Sequence, residues 1–155
     1  MMEALRVSDR EIVITRVFDA PRERVFKAWT DPAHIGNWWG PKGFTTTTLE
    51  IDVKPGGVWR FIMHGPDGTD YPNKISYKEI VKAERLVFDH GSGEDSDAGT
   101  FEATVTFAAE GGKTRLTTRS LFPTPEERKQ AVEEFKAIEG GNQTLDRLGE
   151  YLAKV

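Results

Sequence analysis

The chain has 155 residues, 37% of them hydrophobic and 30% charged, a composition typical of one globular domain over residues 1–155 with no apolar run of the roughly 18 residues that span a bilayer. The formal net charge is -4, with basic residues scattered among acidic ones, which argues against nucleic acid because such a partner needs a clustered positive surface. The first ten residues lack a secretory signal and the chain has no cysteine, so a cytoplasmic location without disulfides is expected.

The N-terminal region predicts one strand followed by two helices. Residues Glu11 to Asp19 alternate loosely and are rich in Ile, Val and Thr, and Ala20-Pro21 then begins a helix. Asp31-Pro32 repeats this arrangement of a capping residue before a proline. It predicts a second short helix that ends at Gly40-Pro41.

Six further strands follow, separated by turns rich in glycine and proline. They predict an antiparallel sheet in which sequential strands are neighbours. The longest irregular stretch is Gly91 to Gly99, whose acidic run Glu94-Asp95-Ser96-Asp97 is interpreted as a solvated loop. The six predicted strands are Phe44 to Lys54, Val58 to Gly65, Lys74 to Ala83, Arg85 to His90, Thr100 to Ala109 and Lys113 to Leu121.

A long C-terminal helix is predicted to begin at Thr124-Pro125-Glu126-Glu127, which has the form of a capping box. Gly140-Gly141 interrupts it at a cost of about 2 kcal/mol in helix propensity. Either the helix kinks there, or the missing side chains leave room for a ligand. The apolar face of this helix is expected to lie across the sheet, and it consists of Phe135, Ile138, Leu145, Leu148 and Leu152.

Five ordered motifs between about Glu11 and Lys154 resemble the bacterial proteins related to the activator of Hsp90 ATPase, in the START-like or SRPBCC superfamily. The resemblance implies an α+β helix-grip fold, in which a curved antiparallel sheet of about seven strands wraps around a long C-terminal helix and leaves a cavity. Many relatives carry an aromatic residue where this chain has Gly141, so a larger or differently shaped cavity is expected. The motifs are Thr15-Arg16-Val17-Phe18-Asp19-Ala20-Pro21, Ala28-Trp29-Thr30-Asp31-Pro32, Trp38-Trp39-Gly40-Pro41, Asp52-Val53-Lys54-Pro55-Gly56-Gly57 and Leu145-Asp146-Arg147-Leu148.

Candidate ligand-binding residues follow from the alternation of side chains along the predicted strands. Trp59, Phe61 and Met63 share one face, and Tyr77 shares a face with Glu79. Aromatic side chains suit an apolar or aromatic ligand, although ordinary core packing is the competing interpretation for each. The predicted set is Trp39, Trp59, Phe61, Met63, Tyr77, Glu79, Phe88, Gly141 and Leu145.

A metal site is not expected, because His34, His64 and His90 lack the spacing of a zinc motif and cysteine is absent. His64 and His90 lie near predicted strand ends. Either they serve as an acid or base, or they are ordinary surface residues.

Three functions remain open at this point. The first is binding of a small hydrophobic or aromatic molecule in the cavity, without an organic cofactor or metal. The second is a cofactor-independent cyclase or hydrolase, resembling the polyketide cyclases, in which Glu79, Tyr77 or a histidine moves a proton; it requires at least two titratable groups within the pocket. The third is a co-chaperone role with an Hsp90 partner, and the lack of the eukaryotic co-chaperone's additional N-terminal domain in this sequence weighs against it.

Overall fold

The computed structural model describes residues 9–92 and 100–154. The strands are β1 (Glu11–Phe18), β2 (Thr45–Ile51), β3 (Val58–His64), β4 (Asp70–Val81), β5 (Arg85–Ser92), β6 (Phe101–Glu110) and β7 (Lys113–Leu121). The helices are α1 (Arg22–Thr30), α2 (Pro32–Ile35), α3 (Pro125–Glu133) and α4 (Ala137–Lys154). The strands form one antiparallel sheet in the order β1-β7-β6-β5-β4-β3-β2. The predicted α+β helix-grip architecture is confirmed.

The second helix is shorter than the sequence predicts. Asp31 caps α2 by accepting a hydrogen bond from the backbone N–H of Ala33 at 2.8 Å, but the helix ends at Ile35 rather than at Gly40-Pro41. Trp38 and Trp39, although adjacent in the chain, are both buried. The chain from 36 to 38 forms a turn, and this turn, not a continuation of α2, carries the two rings into the core.

The β3–β4 hairpin is tighter than predicted. The backbone N–H of Gly65 donates to the carbonyl of Thr69 at 2.8 Å, so β4 begins at Asp70 instead of Lys74 and includes Pro72, which lies opposite Ile62 of β3. The neighbouring strand β5 extends to Ser92, which lies opposite Asn73 of β4. The predicted acidic loop at 94–97 lies outside the described residues.

The predicted single C-terminal helix is two helices, and of the two alternatives for the glycine pair, a break in the helix is not observed. The chain breaks at Lys136, which adopts φ 53°, whereas Gly140 and Gly141 lie within α4. A Cβ at Gly141 would lie 2.7 Å from Cδ1 of Ile14, so this glycine allows close approach of α4 to β1. Because of the break, Phe135 is 71% exposed rather than part of the buried face.

Helix α4 is fixed to the rest of the fold by apolar and polar contacts. Leu145, Leu148 and Leu152 are buried, as the predicted face requires. On the flank, Arg16 donates a hydrogen bond to Asp146 at 2.7 Å. Within the described residues, no helix combines the length and the apolar character that crossing a membrane demands.

Candidate ligand-binding cavity

A cavity of about 580 Å³ lies between the sheet and α4. Its buried end is formed by Trp29, Phe88 and Leu145, whose exposed fractions are 3–4%. Its open end is formed by exposed residues that include Tyr71 of β4 and Phe135 of the α3–α4 junction. The cavity is therefore an apolar cleft that runs from the surface into the core.

Three small residues on facing elements belong to the wall of this cavity. Gly141 lies on α4, and Ala103 and Ser120 are direct neighbours on β6 and β7. All three contribute to the cavity wall. Ala103 and Ser120 have side chains no larger than a hydroxymethyl group, so the sheet leaves space at these positions. The position of a side chain at Gly141 is already taken up by Ile14.

A cluster of aromatic rings forms one side of the cavity. Trp29 packs edge-on against Trp38 and Trp39, with ring centroids 4.9 and 5.6 Å apart. Trp39 in turn packs against Trp59, which stacks on Phe61 at 3.9 Å. Trp29 and Trp39 line the cavity, whereas Trp59 and Phe61 lie behind Trp39 and are fully buried.

Arg147 of α4 holds the loop that carries Trp39 in place. Its Nη1 donates to the carbonyl oxygens of Trp39, Gly40 and Pro41 at 3.2, 2.9 and 3.2 Å. Burial lowers the pKa of this guanidinium from its usual value. Arg147 thus joins the helix above the cavity to the loop that forms its side, and it acts as a positioning residue.

His90 of β5 lies in the cavity wall among the rings of Trp39, Phe61 and Phe101. Its Nε2 lies 2.9 Å from Oδ1 of Asn73. Burial lowers the pKa of His90 to about 4, because the charged imidazolium is poorly solvated there. The ring is therefore neutral near pH 7.

Two buried polar atoms have no hydrogen-bond partner among the described residues, the indole N–H of Trp29 and the hydroxyl of Tyr77. Trp29 belongs to the cavity wall. Tyr77 does not line the cavity and packs against Phe88, with 6.2 Å between the ring centroids. Burial raises the pKa of the Tyr77 hydroxyl well above its usual value, so it stays protonated.

Glu79 does not face the cavity, contrary to the strand alternation. A β-bulge between Tyr77 and Glu79 shifts the register, so that Tyr77 lies opposite Phe88 but Glu79 lies opposite Val87. An extra residue in one strand moves the following side chains to the other face. Glu79 is 44% exposed and accepts hydrogen bonds from Nε of Arg85, at 2.7 Å, and from its Nη2.

The structure places five of the nine predicted site residues in the cavity wall and four outside it. Those in the wall are Trp39, Met63, Phe88, Gly141 and Leu145, and those outside are Trp59, Phe61, Tyr77 and Glu79. His90 and Trp29 were missing from the predicted set. Alternation along β5 could have found His90, because it lies two residues after Phe88 on the same face.

Of the groups that the enzyme alternative names, Tyr77 and Glu79 lie outside the wall, whereas the histidine His90 lies in it together with Tyr71 and Glu127. In the parts of the chain that the structure describes, no three His, Cys, Asp or Glu side chains are grouped so that they could hold a metal ion.

A curved antiparallel sheet closed by a long helix over a cavity defines a protein of the START-like helix-grip class. The chain belongs to the family described as "Activator of Hsp90 ATPase homolog 1-like protein", whose model matches residues 19–153. A comparison with curated proteins found no match.

Solved structures of bacterial proteins share this fold over almost their whole length. A protein from Arthrobacter aurescens is 27% identical with a TM-score of 0.88, and the match covers 96% of this chain and 89% of that one. A protein from Nitrosomonas europaea is 23% identical, with a TM-score of 0.83 and coverage of 95% and 96%. The AHSA1 protein from Silicibacter pomeroyi is 21% identical, with a TM-score of 0.76 and coverage of 92% and 97%.

Proposed function

We propose that this protein binds a small apolar molecule in the cavity between the sheet and α4. The observation that carries this proposal is the cavity itself. Its volume of about 580 Å³ falls in the range of about 300–1,000 Å³ that is typical of small-molecule sites. Its wall combines aromatic and aliphatic side chains with a few polar groups, which is the usual composition of such a site.

The size of the space supports an occupant rather than a packing defect. Protein interiors contain few voids larger than a water molecule, and an unfilled apolar space forfeits contacts that a ligand would supply. By contrast, the side chains of Trp59, Phe61 and Tyr77 elsewhere in the core are enclosed by their neighbours. A chaperone partner stays a prediction of the family resemblance.

Isothermal titration calorimetry with methoxynaphthalene, an uncharged apolar probe, tests the proposal. Ala103→Phe places a ring in the cavity wall and is expected to weaken binding by at least about 10-fold. Ala108→Phe is the matched control, because Ala108 lies on the same strand but is exposed. It should bind the probe as the wild type does.

Circular dichroism establishes first that both variants are folded. Absence of any heat of binding with the wild-type protein would count against the proposal. So would equal affinity of wild type and Ala103→Phe, since the probe would then bind outside the cavity.

A further inference from the structure

The described part of the cavity wall carries no positively charged side chain that could meet an anionic ligand. Among the described residues that line it, none is Lys or Arg, and the charged residue present is Glu127 near the start of α3. A carboxylate or phosphate entering this apolar space would lose its hydration without gaining an ion pair. An uncharged ligand avoids that cost.

The hydrogen bonds around His90 determine which ring nitrogen carries the proton. The side-chain Nδ2 of Asn73 donates to the carbonyl of Tyr71 at 2.8 Å, so the atom facing His90 is the Asn73 oxygen, which can only accept. Nε2 of His90 must therefore be the protonated nitrogen. In the neutral ring, Nδ1 then holds a lone pair.

Among the described residues, nothing donates a hydrogen bond to Nδ1 of His90. It makes no hydrogen bond to a described residue, and unlike Trp29 Nε1 and Tyr77 Oη it is not fully enclosed. The hydroxyl of Thr144, also in the wall, already donates to the carbonyl of Gly140 at 2.9 Å. The hydroxyl of Ser120 can rotate to donate or to accept a hydrogen bond, so it does not discriminate between ligands that donate and ligands that accept.

We infer that the cavity binds an uncharged apolar alcohol or phenol, whose hydroxyl donates a hydrogen bond to Nδ1 of His90. This inference rests on the proposed function. The apolar walls bind the body of the ligand. The acceptor on His90 favours a ligand that carries a hydrogen-bond donor. The lack of Lys and Arg in the described wall disfavours a carboxylic acid of the same shape.

Three naphthalene derivatives substituted at the same ring position test this inference by calorimetry at about pH 7.5. Naphthol is expected to bind the wild type about 10-fold more tightly than methoxynaphthalene, which has the oxygen but no donor. Naphthoate, which is anionic, should bind at least about 100-fold more weakly than naphthol. In His90→Phe the advantage of naphthol over methoxynaphthalene should disappear, while methoxynaphthalene still binds.

A second measurement needs no variant. The ¹⁵N resonances of histidine-labelled protein should identify Nε2 of His90 as protonated, and addition of naphthol should shift the Nδ1 resonance upfield. Equal binding of naphthol and methoxynaphthalene, an unchanged Nδ1 resonance, or tight binding of naphthoate would overturn the inference and leave the proposed function intact. Failure of methoxynaphthalene and naphthol alike to bind would overturn both.

Discussion

The imidazole of His90 stays neutral in the folded protein under conditions in which the unfolded chain protonates it. Its pKa is about 4 in the fold, against about 6.5 in an unfolded chain. Between these two pH values the unfolded state binds more protons, so the free energy of unfolding falls as the pH falls. The stability lost amounts to at most about 3 kcal/mol, and the loss begins as the pH falls through about 6.5.

Urea unfolding of wild type and His90→Phe at about pH 7 and about pH 4.5 measures this effect. The wild type should lose about 2 kcal/mol more than His90→Phe over that interval, because the variant has no group to protonate at this position. His64→Gln serves as the control, since His64 lies on the exposed face beside Asp70. Parallel losses in wild type and His90→Phe would show that His90 is protonated equally in both states.

At the scale of elements, α3 and α4 differ sharply in how they are held. No residue of α3 is buried. The helix is joined to β1 by a hydrogen bond from Nε of Arg128 to the carbonyl of Glu11 at 2.6 Å. Helix α4 buries three leucines and is fixed by Arg16 and Arg147. Segments with few buried contacts open locally at low free energy.

Hydrogen–deuterium exchange followed by mass spectrometry should therefore find α3 amides exchanging at least about 100-fold faster than those in the central turns of α4. Because Glu127, Gln130 and Ala131 of α3 line the cavity, bound naphthol should slow exchange in α3. Equal protection of the two helices would contradict this account of how they are attached.

The same elements show what the sequence could predict. Turn residues and alternating apolar residues located all seven strands, and helical spacing identified the buried face of α4. The helix break was missed because Lys136, a residue that normally favours helix, adopts a left-handed conformation there. The bulge after Tyr77 was missed because no glycine or proline marks it, and the assignment of Glu79 failed with it.

At the scale of the whole molecule, the cavity depends on residues that are far apart in sequence. Ala103 and Ser120 make space beneath α4 only because the strand order brings β6 beside β7. Alternation along a strand says which side chains point inward. It does not say which of them meet another side chain and which meet a gap, so Phe61 and Met63 of β3 were indistinguishable from the sequence.

Since the cavity exists only in the folded chain, ligand binding should stabilise the whole molecule against unfolding. Free naphthol at about 100 times its dissociation constant adds about 2.7 kcal/mol to the free energy of unfolding. For a domain of this length, that corresponds to a rise in Tm of roughly 5–10 °C. Scanning calorimetry should show the rise in wild type and in Ala108→Phe, and a much smaller one in Ala103→Phe. Binding that is detectable by titration but leaves Tm unchanged would place the naphthol on a surface that unfolding does not remove.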